Sequence, residues 1–148
     1  MVLRRDSTAL EHVVEVDATQ HAVHAALREL GSRLALRREA VEEGLRSVRL
    51  PGRFQRIAGR DGLEWVLDVA HNPDAAAALA ASLAQWPARG RTLAVCGMLA
   101  DKDARGVLEA LHGRVDRWFA ASTDGARGQT DAALAARAAE AGIAMTPA

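Results

Sequence analysis

The hydrophobic pattern of the chain changes character at Leu50-Pro51-Gly52. Over residues 19–30, apolar positions recur every three or four residues and stop at Gly31, which predicts a helix with a glycine cap. A second, short helix is predicted over residues 37–45. Residues 1–49 are therefore expected to form a helical segment that is too short to be a domain of its own.

Beyond this point the chain alternates between extended apolar runs and alanine-rich helical patterns. A strand followed by a helix, repeated, predicts parallel pairing with helices packed on the sheet. We expect residues 50–148 to form an α/β domain, a Rossmann-like, mostly parallel sheet of roughly four to five strands flanked by helices. Its last strand begins near Ile143 and is expected to be cut short. The predicted strands cover residues 54–58, 64–69, 92–97 and 117–121.

Composition narrows the class of protein. The chain has 148 residues, of which 49% are hydrophobic and 26% are charged, as is typical of a soluble globular domain. Nineteen basic and nineteen acidic side chains cancel, so neither nucleic acid nor an anionic membrane is expected as a partner. No segment is long and apolar enough to span a membrane, which favours a cytoplasmic protein. The single cysteine, Cys96, is expected to be a buried core thiol.

Ligands of open parallel sheets bind beyond the carboxyl ends of the strands, so the loops that follow the strands are the candidate sites. In the first such loop, Asp68 and His71 precede a helix that Asn72 is suited to cap, with Pro73 at its first position. A helix amino terminus attracts anions, so His71 could contact a phosphate or a carboxylate. The alternative is a well-capped helix without a ligand.

The second loop runs from Gly97 to Asp103 and contains Lys102, which is the only lysine in the chain. An ammonium flanked by Asp101 and Asp103 could hold a substrate carboxylate. The alternative is a solvated loop in which Asp101 caps the next helix.

In the third loop, Arg127 lies between Gly125 and Gly128, where its guanidinium could bind a carboxylate. The glycines alone would explain a tight turn. The sequence contains no phosphate-binding loop, because such a loop ends in Gly-Lys-Ser or Gly-Lys-Thr and Lys102 follows an aspartate. The histidines are scattered, and no metal site is predicted.

Four phrases occur together in an order and spacing that resembles the bacterial folylpolyglutamate/dihydrofolate synthases of the Mur ligase superfamily. They are Leu-Pro-Gly-Arg-Phe-Gln from Leu50, Asp-Val-Ala-His-Asn-Pro from Asp68, Gly-Met-Leu-Ala-Asp-Lys-Asp from Gly97, and Ala-Arg-Gly from Ala126. The resemblance covers about residues 18–148, and residues 1–17 match nothing in it. It implies the carboxyl-terminal domain of the superfamily, with residues 1–49 as a remnant of the central domain.

What this resemblance implies is an ATP-dependent ligase that uses Mg²⁺, forms an acyl phosphate on a dihydropteroate or folate carboxylate, and joins L-glutamate to it. Arg53 looks like the arginine that reaches the ATP phosphates, and Asp68 like the carboxylate that binds the ribose, with His71 in the same turn. Lys102 would anchor a glutamate carboxylate. Asp101, Asp103 and Arg127 are placed near the glutamate by position alone.

The departures from the family pattern matter as well. The phosphate-binding loop and the magnesium ligands, which such enzymes carry in the amino-terminal half, are absent from this sequence. We therefore expect ATP, Mg²⁺ and the folate to be held through an amino-terminal ATPase domain, and this chain alone to hold no cofactor and to be inactive. Two alternatives stay open: a carboxyl-terminal domain of a peptidoglycan Mur ligase, and a noncatalytic module that binds a nucleotide or an amino acid.

Overall fold

The computed structural model describes residues 1–6, 26, 37–47, 50–86 and 90–147. The chain divides into two compact units, of which the larger combines Met1–Leu10 with Pro51–Ala148 and the smaller is Glu11–Leu50. In the smaller unit the second predicted helix is confirmed as α1 (Arg38–Ser47), which runs two residues past its predicted end. The helix predicted over residues 19–30 lies outside the described residues, apart from Ala26.

The larger unit contains one six-stranded sheet with the order β2-β3-β1-β4-β5-β6. Strands β4, β5 and β6 pair in parallel. Strand β1 is antiparallel to both β3 and β4, and β2 is antiparallel to β3. Strands β3 to β6 therefore share one direction, while the sheet as a whole is mixed, with three antiparallel and two parallel pairings. The predicted α/β class is confirmed. The strands are β1 (Val2–Asp6), β2 (Gln55–Ala58), β3 (Leu63–Leu67), β4 (Leu93–Cys96), β5 (Arg117–Ala120) and β6 (Met145–Pro147).

Strand β1 corrects two predictions, namely that residues 1–49 are helical and that the sheet has four to five strands. Val2–Asp6 lies in the interior of the sheet, where Leu3 pairs with Val66 on one side and with Ala94 on the other. Leu3 is completely buried. Because only two of the five residues of β1 are apolar, the local sequence carries little strand signal, and long-range pairing decides the conformation.

Three helices of the larger unit begin at side-chain caps. Asn72, Asp103 and Thr130 precede α2 (Pro73–Gln85), α3 (Ala104–Ala110) and α4 (Asp131–Glu140), and each accepts the backbone N–H of the residue three positions further on. Such a cap satisfies a backbone donor that has no partner within the helix. The predicted cap at Asn72, with proline following it, is confirmed. At α3 the cap is Asp103, so the alternative assignment of Asp101 to this role is wrong.

The core lies on one face of the sheet, where α2, α3 and α4 pack side by side. The strand registers place Leu3, Val66, Ala94 and Trp118 on this face, and all four are buried together with the apolar residues of the helices. Each large apolar side chain that is fully buried stabilises the fold by roughly 1.5 to 3 kcal/mol. None of the helices among the described residues combines the length and the apolar character needed to span a bilayer.

The topology gathers the candidate loops at one edge of the sheet, which we call the rim. Because β3, β4 and β5 run in the same direction, the loops that follow them, beginning at Asp68, Gly97 and Ala121, all leave the sheet at this edge. Strand β2 runs in the opposite direction, so Arg53, which precedes it, lies at the same edge. The fold thus brings Arg53 and the loop that contains Arg127, 74 positions later in the sequence, to a common rim.

Candidate functional site

At one end of the rim, Asp68 determines the shape of the turn that carries Arg53. Its Oδ2 accepts the backbone N–H of Phe54 at 2.8 Å, and its Oδ1 accepts that of Ala70 at 2.7 Å. The backbone N–H of Val69 also donates to the carbonyl of Gly52 at 2.9 Å. Asp68 therefore ties the turn before β2 to the loop after β3, and Arg53 projects from that turn as an exposed side chain.

The turn itself has an unusual backbone. Phe54 adopts φ 41°, the one positive value outside glycine among the described residues, and Gly52 adopts φ 68°. A phenylalanine in this region costs free energy unless its surroundings hold it there. The Phe54 ring packs edge-on against Trp86, with 6.0 Å between ring centroids, and Gln55 accepts the N–H of Gly52 at 2.9 Å. These contacts, with Asp68, keep the Arg53 turn in a conformation that an isolated peptide would disfavour.

A largely buried ion pair between β2 and β3 lies next to the same turn. Arg56 Nη2 lies 2.7 Å from Glu64 Oε1, and the guanidinium carbon is 4.8 Å from the centroid of the Trp86 ring. Only 8% of the Glu64 side chain is exposed to solvent, against 26% for Arg56. Within the described part of the chain, Arg56 Nε and Glu64 Oε2 have no hydrogen-bond partner. The pair therefore fixes β2 against β3 and α2 at a considerable desolvation cost.

His71 lies on the same loop, at the amino terminus of α2. Its imidazole is exposed, and Nδ1 lies 3.0 Å from the carbonyl of Val69, which favours the tautomer with the proton on Nδ1. In that tautomer Nε2 is left to accept a hydrogen bond or, once protonated, to donate one. The cap at Asn72 uses one of the backbone donors at the start of α2, while the positive end of the helix dipole still favours an anion nearby.

The second loop brings together three of the predicted residues. Asp101 Oδ2 lies 3.3 Å from Arg127 Nη1 and 3.9 Å from Lys102 Nζ, the latter an ion-pair distance rather than a hydrogen bond. The Lys102 side chain is 30% exposed and that of Arg127 is 64% exposed. Two cations thus share the carboxylate of Asp101, and their exposed donors could also bind an anionic ligand group.

Asp103, the fourth residue assigned to this cluster, is occupied differently. Its Oδ1 accepts the N–H of Gly106 at 2.9 Å as the cap of α3. Gly106 in turn packs against Pro73, so the starts of α2 and α3 touch and the first two loops of the rim adjoin. Asp103 therefore has a structural task that is sufficient to explain a carboxylate at this position.

Sequence reasoning missed the residues that hold the lysine loop in place. Gln129 Nε2 and Thr123 Oγ1 donate to the carbonyl of Met98 at 2.9 and 3.2 Å. Arg137, in the last turn of α4, donates to the carbonyls of Ala100 and Lys102 at 3.2 and 2.5 Å. A polar residue on a helix carries no local signal of such a distant partner, so the pattern of the sequence could not have identified it.

The remaining candidates in the larger unit are its thiol and any cluster of metal-binding side chains. Cys96 is buried at the end of β4, as predicted, and burial raises the pKa of its thiol. Residues 1–6, 26, 37–47, 50–86 and 90–147 contain no group of three or more His, Cys, Asp or Glu side chains that could hold a metal ion. We assign no metal ligand to these residues.

Comparison with known proteins identifies the class to which this fold and rim belong. Residues 52–147 match the family described as "Mur ligase, glutamate ligase domain". This match covers well over half of the chain, and the chain belongs to that family. The resemblance inferred from the four sequence phrases is confirmed.

Within the superfamily, the relatives are folate enzymes. The dihydrofolate synthase/folylpolyglutamate synthase of Escherichia coli K12 is 44% identical over 106 residues, which cover 72% of this chain and 24% of that protein. The structure of Escherichia coli FolC in complex with DHPP and ADP superposes with a TM-score of 0.73 at 32% identity, covering 94% of this chain and 32% of the other. This chain thus spans about a quarter of the length of the curated relative.

A second solved structure bears on the ligands. A bifunctional folylpolyglutamate synthase/dihydrofolate synthase with Mn, AMPPNP and L-glutamate bound superposes with a TM-score of 0.70 at 36% identity, covering 91% of this chain and 32% of that chain. Relatives of this chain therefore bind a nucleotide, a divalent metal and glutamate. The relatives named here are folate synthases, so the peptidoglycan ligase and the noncatalytic module are not favoured.

Proposed function

We propose that this chain is the glutamate-side domain of an ATP-dependent ligase that adds L-glutamate to dihydropteroate or folates through an acyl phosphate. The observation that carries the proposal is the rim, where Arg53 precedes β2, Asp68 follows β3 and Lys102 follows β4, all at one edge of the sheet. Holding the reactants together in a cleft supplies much of the rate of such a reaction. The names of the relatives support the same substrates.

The nucleotide side of the rim is formed by Arg53, Asp68 and His71. Arg53 is exposed on a turn that Asp68 holds in place, which suits a side chain that reaches phosphates across a cleft. Both carboxylate oxygens of Asp68 already accept backbone N–H groups, but each has a second lone pair available to a ribose hydroxyl. His71 would meet the phosphates at the amino terminus of α2.

The glutamate side is formed by the second and third loops. Lys102 and Arg127 would bind the carboxylates of L-glutamate, and Asp101 between them would orient the ammonium group. We place Asp103 beside the bound glutamate without direct contact, because its carboxylate caps α3. The residues of this chain would thus hold the amino acid with its amine directed to the acyl phosphate.

The remaining parts of the reaction are assigned to a partner domain. The sequence contains no phosphate-binding loop, so we propose that ATP, Mg²⁺ and the folate are held through an amino-terminal ATPase domain. Magnesium would neutralise charge on the transferring phosphate when bound there. We propose that this polypeptide alone does not ligate glutamate and that the ligase acts in the cytoplasm.

Calorimetry on the whole chain tests the assignment. L-glutamate and ADP are titrated separately into the wild type, Lys102→Gln and Arg53→Ala, with L-glutamine as a control ligand that lacks the side-chain charge. We expect weak binding, with dissociation constants of about 1 mM, because half a cleft supplies half of the contacts. Lys102→Gln should weaken only glutamate and Arg53→Ala only ADP. If both variants bound L-glutamate and ADP as tightly as the wild type does, the site assignment would be wrong.

A further inference from the structure

The lysine loop, residues 97–103, is held through its backbone carbonyls. The carbonyls of Met98, Ala100 and Lys102 alternate along the loop, and each accepts a hydrogen bond from a side chain between Thr123 and Arg137. In the reverse direction, the backbone N–H of Ala100 donates to the carbonyl of Arg127 at 2.8 Å. The loop that carries the only lysine of the chain is therefore shaped by the segment after β5.

Of these side chains, Arg137 is the one farthest along the sequence from the lysine loop. Its Nη1 donates to the carbonyl of Ala100 at 3.2 Å and lies 3.4 Å from Gln129 Oε1, while Nη2 donates to the carbonyl of Lys102 at 2.5 Å. The rigid fork of a guanidinium suits two carbonyls that are two residues apart, since one planar group can satisfy both. Hydrogen bonds to a charged group are stronger than those between neutral groups.

From this geometry we infer that Arg137 is a positioning residue, which holds the backbone of Ala100–Lys102 so that the Lys102 ammonium lies beside Asp101 and Arg127. The carbonyl of Lys102 also accepts the backbone N–H of Ala104 at 2.9 Å, so Arg137 joins the loop to the first turn of α3. Arg137 itself does not contact the amino acid. The inference rests on the proposed function only in naming glutamate as the ligand.

The functional consequence follows from the length of the lysine side chain. The four methylene groups of the lysine side chain let the ammonium occupy many positions. Restricting it to one position when a ligand binds has an entropic cost. A fixed backbone at Lys102 removes part of that freedom before the ligand binds. We therefore expect Arg137 to act on glutamate affinity and not on nucleotide affinity, because the Arg53 turn has its own support at Asp68.

The experiment combines amide hydrogen exchange with calorimetry on the full chain. Arg137→Ala and Arg137→Lys are compared with Arg105→Ala, which removes a cation near Lys102 that bonds to Glu109 at 2.7 Å on its own helix. In Arg137→Ala, exchange at the amides of Ala100 and Lys102 should accelerate about tenfold, with a similar loss of L-glutamate affinity. Arg137→Lys should rescue part of both, and Arg105→Ala should change neither. Thermal unfolding confirms that each variant is folded.

Each outcome decides the matter. Unchanged exchange in Arg137→Ala would overturn the inference, and so would faster exchange with unaltered glutamate affinity, because the residue would then be only structural. If the wild type bound no glutamate, the proposed function would fail, while the exchange rates of Ala100 and Lys102 would still decide whether Arg137 holds the loop. An equal loss of ADP and glutamate binding in Arg137→Ala would also contradict the inference that Arg137 positions the lysine loop.

Discussion

A β-carbon placed on Gly106 would lie 2.7 Å from Cγ of Pro73, closer than real contacts of this kind allow. It would also lie 2.5 Å from Oδ2 of Asp103, the second oxygen of the carboxylate that caps α3 through Oδ1. Glycine at this position therefore allows the starts of α2 and α3, and with them the first two loops of the rim, to approach each other.

The first prediction compares Gly106→Ala with Gly44→Ala. Both glycines lie within helices, where alanine is favoured over glycine by about 1 kcal/mol. A β-carbon on Gly44 meets no atom of the described residues within 4 Å, whereas one on Gly106 would clash with Pro73 and Asp103. Gly44→Ala should leave the melting temperature unchanged or raise it, whereas Gly106→Ala should lower it by several degrees, on the order expected for about 1 kcal/mol. A rise for Gly106→Ala would show that the loops separate without cost.

A second prediction concerns the Arg56–Glu64 pair. Glu64→Leu leaves a largely buried guanidinium without its carboxylate and should lower the free energy of unfolding by about 2 to 3 kcal/mol. The double variant Arg56→Met with Glu64→Leu should recover most of that loss, because neither desolvated charge remains. Urea unfolding measures both. A double variant no more stable than Glu64→Leu alone would contradict this account of the pair.

The third prediction tests Asp68 as the support of the Arg53 turn. Asparagine offers one acceptor oxygen where Asp68 uses two, so Asp68→Asn should leave the N–H of Phe54 or of Ala70 without a partner. We expect a loss of about 2 kcal/mol in urea unfolding. The control is the exposed Asp124→Asn, which should change the free energy by less than about 0.5 kcal/mol. Equal stability of the two variants would contradict the role assigned to Asp68.

A fourth prediction uses the single thiol. Burial raises the pKa of Cys96 above its ordinary value of 9.0, so the reactive thiolate is disfavoured in the folded state. Alkylation at pH 8 should be at least about a hundredfold slower in the native protein than in urea. Because the pKa is raised by folding, the unfolded thiol ionises at a lower pH than the folded thiol, so this group's contribution to stability falls as the pH rises through the unfolded pKa. Equal alkylation rates would show an accessible thiol.

Local sequence signals were sufficient for much of the rim. Strand, loop and helix follow one another at Asp68 and at Gly97, and a shared strand direction then places both loops at one edge. The cap at Asn72 was also predictable, because its physical basis is local. What locality could not supply was strand β1, whose Val-Leu-Arg-Arg-Asp sequence becomes interior only through its pairing with β3 and β4.

Side-chain roles were less predictable than positions. The sequence places Asp101 and Asp103 in one charged loop, but only the geometry shows that Asp103 caps α3 while Asp101 binds Arg127. Arg137 lies 35 positions after Lys102 in the sequence and gives no local signal of its contact with the lysine loop. The antiparallel direction of β2 was not predicted, although the four residues between β2 and β3 are too few for a parallel crossover.

The fifth prediction tests the division of the rim between two ligands most directly. Amide chemical shifts of the labelled full chain are followed during separate titrations with ADP and with L-glutamate. ADP should shift the amides around Arg53 and Asp68–Asn72, and L-glutamate those around Lys102 and Arg127. Shifts from both ligands that spread over the same residues, or that arise away from the rim, would contradict the account.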